Sequence, residues 1–222
     1  MGLHMNQFEV LDSGVRRESE TGAVRDRAVG KGRYDLLNPI AVNMLAEFMS
    51  YYEITSTDDY NLLISSALGE IHNITWGGVL PDIHSVISAL VCIMLAMDAK
   101  NDIEKYESLQ KRISNRSLSI EGKRYDLIPP HGLHRIACVF EKGALKYSER
   151  NWEKGMPLSW FVDSALRHLY QHLDGNIQED HIAHAACNLF MFITIKMKIN
   201  AGNLPEYFND LPNNGVKNES NT

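Results

Sequence analysis

The chain repeats one order of helix signals in its two halves. Arg33-Tyr34-Asp35-Leu36 recurs 91 positions later as Arg124-Tyr125-Asp126-Leu127. Further on, SSALGEIHNITWGGVLPDIHSVISALVCIMLAM resembles DSALRHLYQHLDGNIQEDHIAHAACNLFMFITI at a spacing of 98 positions. A repeat of this kind indicates one structural unit used twice, because each unit can bury its apolar face against the other. The alternative is a pair of similar helical hairpins that share only their caps.

Local start and stop signals predict an all-α helical bundle with about six main helices from an internally duplicated three-helix unit. Asn38 can cap a helix that Pro39 begins, and Gly175 and Gly202 can each follow a helix end. The predicted helices run from Pro39 to about Glu53, about Thr57 to Ile74, Asp82 to beyond Lys105, Pro130 to about Tyr147, Leu158 to Leu173, and Glu179 to about Asn200.

The repeat divides the chain into four segments. We interpret residues 1–37 as an extended N-terminal arm and residues 204–222 as a flexible tail. Residues 38–112 form a degenerate helical repeat, and residues 113–203 form a site-bearing repeat, both in one compact domain. In the first repeat, apolar or small residues replace the polar ones of the second: Glu141 corresponds to Ser50, Arg167 to Gly69, His184 to Val86, and Asn188 to Leu90.

Charge and cysteine usage limit the class of protein. The net charge is −6, which argues against a nucleic-acid polymer as partner, because such proteins usually carry a basic face. The most apolar stretch, Val86 to Met97, is too short to span a bilayer, so we expect no membrane partner. The three cysteines form no CxxC pair, which favours a reducing, cytoplasmic localisation.

Two predicted helices of the second repeat carry polar faces. His168 and His172 are four residues apart, as are Asp180 and His184, followed by Asn188 at the next turn. Residues at this spacing share one helix face, and two such faces on adjacent antiparallel helices can converge on one cavity. Carboxylates and neutral histidines bind divalent metals, and carboxylate-rich sites favour Mg²⁺ or Mn²⁺. The alternative is that these histidines are exposed or satisfy buried backbone groups.

A third helix and the loop after it offer further polar groups. Glu141 would add a carboxylate to a metal site, although an ordinary solvated glutamate is the alternative. In the following loop Lys146 and Arg150 could hold phosphates, and Trp152 could stack on a base. A solvated charged loop is the simpler interpretation of the same residues.

The motifs of both halves together resemble a known family. They are TGAVRD, GKGRYDLL, RYDLIPP, EKGALKY, RNWEKG, DSALRHL and EDHIAHAACNL, within roughly residues 20–200. In combination they resemble the phage-type dATP/dGTP diphosphohydrolases, which belong to the MazG-like all-α nucleoside triphosphate pyrophosphohydrolases. The resemblance implies hydrolysis of a nucleoside triphosphate to monophosphate and pyrophosphate. The first candidates for the substrate are dGTP and dATP. It also implies Mg²⁺ or Mn²⁺ as cofactor and, for a phage-encoded chain, the host cytoplasm. Whether two copies of the chain form a homodimer stays open.

The resemblance also suggests roles for individual residues, although the ExxE and ExxD helices of the better known MazG pattern are not present in plain form. The implied metal ligands are Glu141, Glu179, Asp180 and His184. The implied catalytic residues are Glu141, His168, His172 and His184. The implied substrate-binding residues are Lys146, Arg150, Asn151, Trp152, Arg167 and Asn188.

Two other functions compete with this one. An HD-type dNTP triphosphohydrolase would also use histidine and aspartate on helices, but its adjacent His-Asp pair is not found in that order, since the chain has Asp180-His181. A non-catalytic nucleotide-binding helical module is the second alternative. The reaction products separate the three.

Overall fold

The all-α prediction is confirmed by a computed structural model, which describes residues 16–18, 24–26, 32–51, 60–76, 83–101, 103–114 and 123–212. The helices are α1 (Pro39–Tyr51), α2 (Tyr60–Trp76), α3 (Ile83–Asn101), α4 (Ile103–Ser114), α5 (Pro130–Tyr147), α6 (Leu158–Leu173) and α7 (His181–Asn200). The predicted third helix is thus two helices, α3 and α4. Strands β1 (Arg16–Glu18) and β2 (Val24–Asp26) form a short antiparallel pair within the predicted arm. The rest of that arm before residue 32, and residues 213–222, lie outside the described residues.

Two short 3-10 turns, Tyr34–Leu36 and Tyr125–Leu127, precede α1 and α5 and cross between the halves. The backbone N–H of Arg33 donates to the carbonyl of Ala137 on α5 at 3.1 Å. The N–H of Arg124 donates to the carbonyl of Ala46 on α1 at 2.8 Å. Each half therefore places its turn on the first helix of the other half.

The side chains of these turns make matching contacts. The Tyr34 hydroxyl lies 2.8 Å from Nδ1 of His134 on α5. The Tyr125 hydroxyl donates to Oδ1 of Asn43 on α1 at 2.5 Å. His134 and Asn43 are separated by the same 91 positions as the two tyrosines, so the contacts follow the repeat seen in the sequence. A common origin of the halves by duplication stays a prediction.

The core centres on α3 and α7. Both helices are long and apolar enough, by length and composition, to cross a membrane. However, 67% of the most apolar 18-residue stretch of each helix is buried inside the protein. Other helices cover them: α2 and α5 contact α3, α6 and α5 contact α7, and the two also contact each other. A helix that other helices cover on most sides is expected to be largely apolar.

Gly132 sets the separation of α5 from α3. A Cβ atom at this position would lie 2.8 Å from Cβ and 2.9 Å from Cα of Met94. The second of these atoms is backbone, so the helices would have to move apart. We expect Gly132→Ala to lower the free energy of unfolding by roughly 1–2 kcal/mol, measured by denaturant unfolding. Gly143→Ala on the same helix is the control, because a Cβ there meets nothing within 4 Å; equal destabilisation by both variants would contradict this packing.

Residues 204–212 pack against the bundle, which differs from the flexible tail predicted from residue 204. Leu211 is buried. Asp210 accepts a hydrogen bond from the backbone N–H of Ser159 at 2.9 Å, at the beginning of α6. Phe208 lies against Gly155, where an added Cβ would meet the ring at 2.6 Å. These contacts anchor the segment beside the loop that joins α5 to α6.

Candidate active site

A cavity of about 1010 Å³ opens between α5, α6 and α7 and is bordered by the α5–α6 and α6–α7 loops. We refer to it as the main cavity. Among the described residues of the first half, Leu36 in the first 3-10 turn is the one that lines it. A volume of this size is at the upper end of the usual range for small-molecule sites.

Three side chains that could together hold a metal ion meet in the wall of the main cavity: His168, Glu179 and His184. One ligand atom from each lies within 4.8 Å of the others, and this is the one such cluster in the described part of the chain. Ligands bound about 2.1 Å from a single ion can be up to about 4.2 Å apart, so small rotations would let all three bind one ion. We refer to them as the three-ligand cluster.

The two histidines of the cluster are poised to be neutral. Their rings stack with centroids 4.9 Å apart and planes at 20°. Burial, followed by the charges of His184 and Arg167, lowers the pKa of His168 to about 4. Burial also lowers the pKa of His184, although Glu179 and Asp180 act in the opposite direction. Neutral imidazoles have a lone pair available for a metal ion at neutral pH.

His181 lies behind His168. The two Nδ1 atoms are 3.0 Å apart, so one nitrogen must donate a proton to the other. When His168 is the donor, its Nε2 keeps the lone pair that a metal would need. His181 was not among the predicted site residues, because the loop between α6 and α7 removes any regular spacing that would link it to His168.

Asp180 is engaged by Arg135. Its carboxylate caps α7 by accepting from the N–H of Ala183 at 3.2 Å, and it accepts from Nε of Arg135 at 2.9 Å and also from Nη2. Burial raises the pKa of this carboxyl, but the hydrogen bonds and charge of Arg135, the N–H of Ala183 and the charge of His184 together outweigh burial and leave the pKa below its usual value. The sequence pointed to Asp180 but not to Arg135, which lies 45 residues earlier on α5.

Glu141 is not part of the three-ligand cluster. Its Oε2 accepts a hydrogen bond from the backbone N–H of Gly32 at 3.2 Å. Its neighbours Phe140 and Lys142 line the main cavity, whereas Glu141 does not. The geometry therefore connects this carboxylate to the segment before the first 3-10 turn.

His172 faces a different space. Its Nε2 is hydrogen-bonded to the hydroxyl of Tyr60 on α2. It lines a second cavity of about 420 Å³ rather than the main cavity. Burial, then the charges of Lys100 and Arg135, lowers the pKa of His172. The four-residue spacing from His168 thus places the two histidines in the walls of two neighbouring cavities.

Cationic side chains lie along the main cavity. Lys146, Arg150 and Arg167 line it as predicted residues, and Lys142 joins them although the sequence did not single it out. Arg150 is held by two contacts: Nη1 donates to Glu153 at 2.7 Å, and Nη2 donates to the backbone carbonyl of Asp35 at 2.6 Å. Its fixed orientation follows from this second contact with the first half of the chain.

Asn151, Trp152 and Asn188 also line the main cavity. Asn151 accepts from Nζ of Lys154 at 3.2 Å, and the Asn188 amide donates to the backbone carbonyl of His184 at 2.8 Å. Trp152 is only 8% exposed, and its ring packs on Phe140 with centroids 5.6 Å apart. It forms part of the cavity wall with little free surface.

Trp160 is the aromatic residue that sequence inspection missed. It lines the main cavity from the first turn of α6 and is 62% exposed. Tyr147, at the end of α5, lines the same cavity and is also exposed. The helix pattern could have identified Trp160. This large aromatic residue directly precedes the buried pair Phe161-Val162 but falls outside the apolar face of the helix.

The fold is an all-α domain with a cavity between its last three long helices, and acidic, basic and histidine side chains line this cavity. Residues 115–203 match the model of the family described as dATP/dGTP diphosphohydrolase, N-terminal. The match confirms the resemblance carried by the second-half motifs; those before residue 115 lie outside it. Apart from Leu36, every residue that lines the main cavity falls within the matched segment. No curated protein and no solved structure matches the chain.

Proposed function

We propose that the main cavity hydrolyses purine deoxynucleoside triphosphates, dGTP or dATP, to the monophosphate and pyrophosphate. One observation carries the proposal: the three-ligand cluster and the cationic side chains Lys142, Lys146, Arg150 and Arg167 line the same cavity. A triphosphate needs both kinds of group, because its charge must be neutralised by a metal ion and by positioned cations. The description of the matching family supports this substrate class.

The cluster fits a divalent metal ion, with a preference. Two imidazoles and one carboxylate suit Mn²⁺ better than Mg²⁺, because Mg²⁺ prefers oxygen ligands alone. When bound, such an ion polarises phosphoryl oxygens and lowers the pKa of a coordinated water. Of the two ions that the family resemblance implies, Mg²⁺ and Mn²⁺, we therefore propose Mn²⁺.

The chain's own residues would divide the remaining work. When His168 donates its Nδ1 proton to His181, His168 keeps a free lone pair on Nε2. Glu179 is the only carboxylate of the cluster, so it can accept the proton of an attacking water. Arg150 is pre-oriented by its bond to the Asp35 carbonyl and can donate to phosphate oxygens without further ordering.

The base would lie on exposed aromatic surface. Trp160 and Tyr147 both present exposed rings in the main cavity. A purine offers a larger stacking face than a pyrimidine, which is consistent with the proposed substrates. We expect Trp160→Ala to raise KM for dGTP roughly tenfold with little change in kcat, in steady-state assays. Exposed Tyr207, which does not line the cavity, provides the control Tyr207→Ala; an unchanged KM in Trp160→Ala would place the base elsewhere.

Product analysis tests the reaction itself. The protein is incubated with each dNTP in Mn²⁺ or Mg²⁺, and nucleotides and inorganic products are separated by ion-exchange chromatography. We expect dGMP or dAMP in equal amount with pyrophosphate, with purine substrates preferred. Release of inorganic triphosphate with the nucleoside would instead indicate the HD-type triphosphohydrolase. Saturable nucleotide binding without turnover would indicate the non-catalytic module.

A further inference from the structure

The second cavity lies beside the main cavity, at the point where α3 ends, α5 begins and the α6–α7 loop enters α7. Lys100, Arg135, His172 and His181 line it, and we refer to these four as the donor group. The two cavities share the wall residues Glu179 and Asp180. The second cavity is therefore separate from the proposed active site but adjacent to it.

The donor group is rich in N–H donors and positive charge. Among the described residues no carboxylate forms an ion pair with Lys100, whose Nζ lies 5.3 Å from the ring centroid of Tyr60. Two carboxylates also line this cavity: Asp180, which already accepts two hydrogen bonds from Arg135, and Glu179, whose side chain is exposed to solvent. The pKa of His172 is lowered by burial first and then by Lys100 and Arg135, which indicates a positive field at that ring.

His181 supplies an independent indication of a missing partner. It is 4% exposed, and its Nε2 is buried without a hydrogen-bond partner in the structure. Its Nδ1 is already paired with Nδ1 of His168. When His168 donates in that pair, the proton of His181 lies on Nε2, which then needs an acceptor. Buried polar groups in native proteins are rarely left unpaired.

We propose that the second cavity binds a small oxyanion with phosphate chemistry, as inorganic phosphate or as the phosphate group of a nucleotide, through the donor group. Phosphate oxygens accept hydrogen bonds at several angles, so one group can meet an ammonium, a guanidinium and imidazole N–H groups together. After a small movement of the His181 ring, the anion would also provide the acceptor that its buried Nε2 lacks. Because the anion would stabilise the His181 Nε2–H tautomer, it would also favour the free Nε2 lone pair of His168.

The test follows histidine side-chain nitrogen resonances by NMR in the metal-free full-length chain at pH 7, during titration with inorganic phosphate and, separately, with dGMP. We expect saturable shifts of His181 and His172. Lys100→Gln should weaken the affinity about tenfold, because it removes one charge-assisted hydrogen bond. Arg167→Gln, which alters the main cavity, should leave these shifts intact. Lys111→Gln, an exposed lysine on α4 outside both cavities, is the control for a general loss of positive charge.

The possible outcomes distinguish free phosphate from a nucleotide as the ligand, and the second cavity from the main cavity as the binding site. Binding of phosphate and dGMP with the same dependence on Lys100 supports recognition of the phosphate group alone; binding of dGMP only supports a nucleotide as the source. Shifts at His184 that Arg167→Gln abolishes, with His181 unmoved, would overturn the proposal, as would the lack of any saturable shift. Because no turnover is measured, an inactive protein that still shows the His181 shifts would contradict the proposed function and leave the anion site standing.

Discussion

Glu179→Gln is expected to lower kcat/KM for dGTP by at least about 100-fold while leaving the free energy of unfolding unchanged. Glu179 is the only carboxylate in the three-ligand cluster, and its side chain is exposed. Glutamine has nearly the same shape but no charge, so metal affinity and proton acceptance are lost without a packing defect. Steady-state kinetics at several Mn²⁺ concentrations measure the loss, and circular dichroism melting checks the fold.

Glu107→Gln is the matched control for this variant. Glu107 is an exposed glutamate on α4 that lines neither cavity. We expect wild-type kinetics from it. If Glu179→Gln retained full activity at every Mn²⁺ concentration, the cluster would not be the catalytic metal site.

Asp98→Ala is expected to lower the free energy of unfolding by about 3 kcal/mol. Asp98, at the C-terminal part of α3, is only 6% exposed. Its carboxylate accepts from the backbone N–H of Gly132 at 2.9 Å and of His131 at 3.3 Å, so it caps the N-terminus of α5. Alanine would leave both donors without their acceptor and open space beside them. Urea unfolding at neutral pH measures the difference, with Asp163→Ala as an exposed control expected to change stability by less than about 0.5 kcal/mol.

The pH dependence of the same residue gives a second check. Burial raises the pKa of Asp98 above 3.8, although the hydrogen bonds from Gly132 and His131 oppose the increase. The folded state therefore holds this proton more tightly than the unfolded state. The contribution of Asp98 protonation to the free energy of unfolding is fully present below pH 3.8. It is lost as the pH rises through the folded-state pKa of Asp98. Asp98→Asn should lack this component, and an identical pH profile for Asn and Asp would contradict the raised pKa.

The fold was predictable where the signals are local. Proline and glycine act within one turn of the chain, so the predicted helices from Pro130 and from Leu158 begin at those residues in α5 and α6. The predicted third helix failed near its charged end, where α4 follows α3. No proline or glycine marks the boundary between these two helices, so the sequence carries no local stop signal there.

The site was predictable only in part, because spacing identifies a helix face but not the group that it meets. His168 and His184 come together with Glu179, as two converging polar faces suggested. Asp180 shares a face with His184, yet Arg135 from α5 engages its carboxylate. Such pairings depend on the rotation of neighbouring helices, which local sequence does not encode.

Two contacts with the site-bearing repeat come from residues that local sequence patterns do not connect to it. The first half reaches the site through its 3-10 turn, where the Asp35 carbonyl orients Arg150 across 115 positions of sequence. The backbone N–H of Gly32 likewise donates a hydrogen bond to the carboxylate of Glu141, which the family resemblance implied as a metal ligand. The segment before α1 thus contacts the site-bearing repeat through backbone groups, which a comparison of side-chain types does not detect.

Electron spin echo envelope modulation of Mn²⁺ bound to the protein tests the central claim most directly, because it detects nitrogen atoms coordinated to the ion. The proposed site predicts nitrogen modulation from imidazole ligands in the wild type. His168→Ala and His184→Ala should each reduce it, whereas the distant His84→Ala should not. Bound Mn²⁺ without nitrogen modulation would show coordination by oxygen alone and would contradict the assignment of the three-ligand cluster as the metal site.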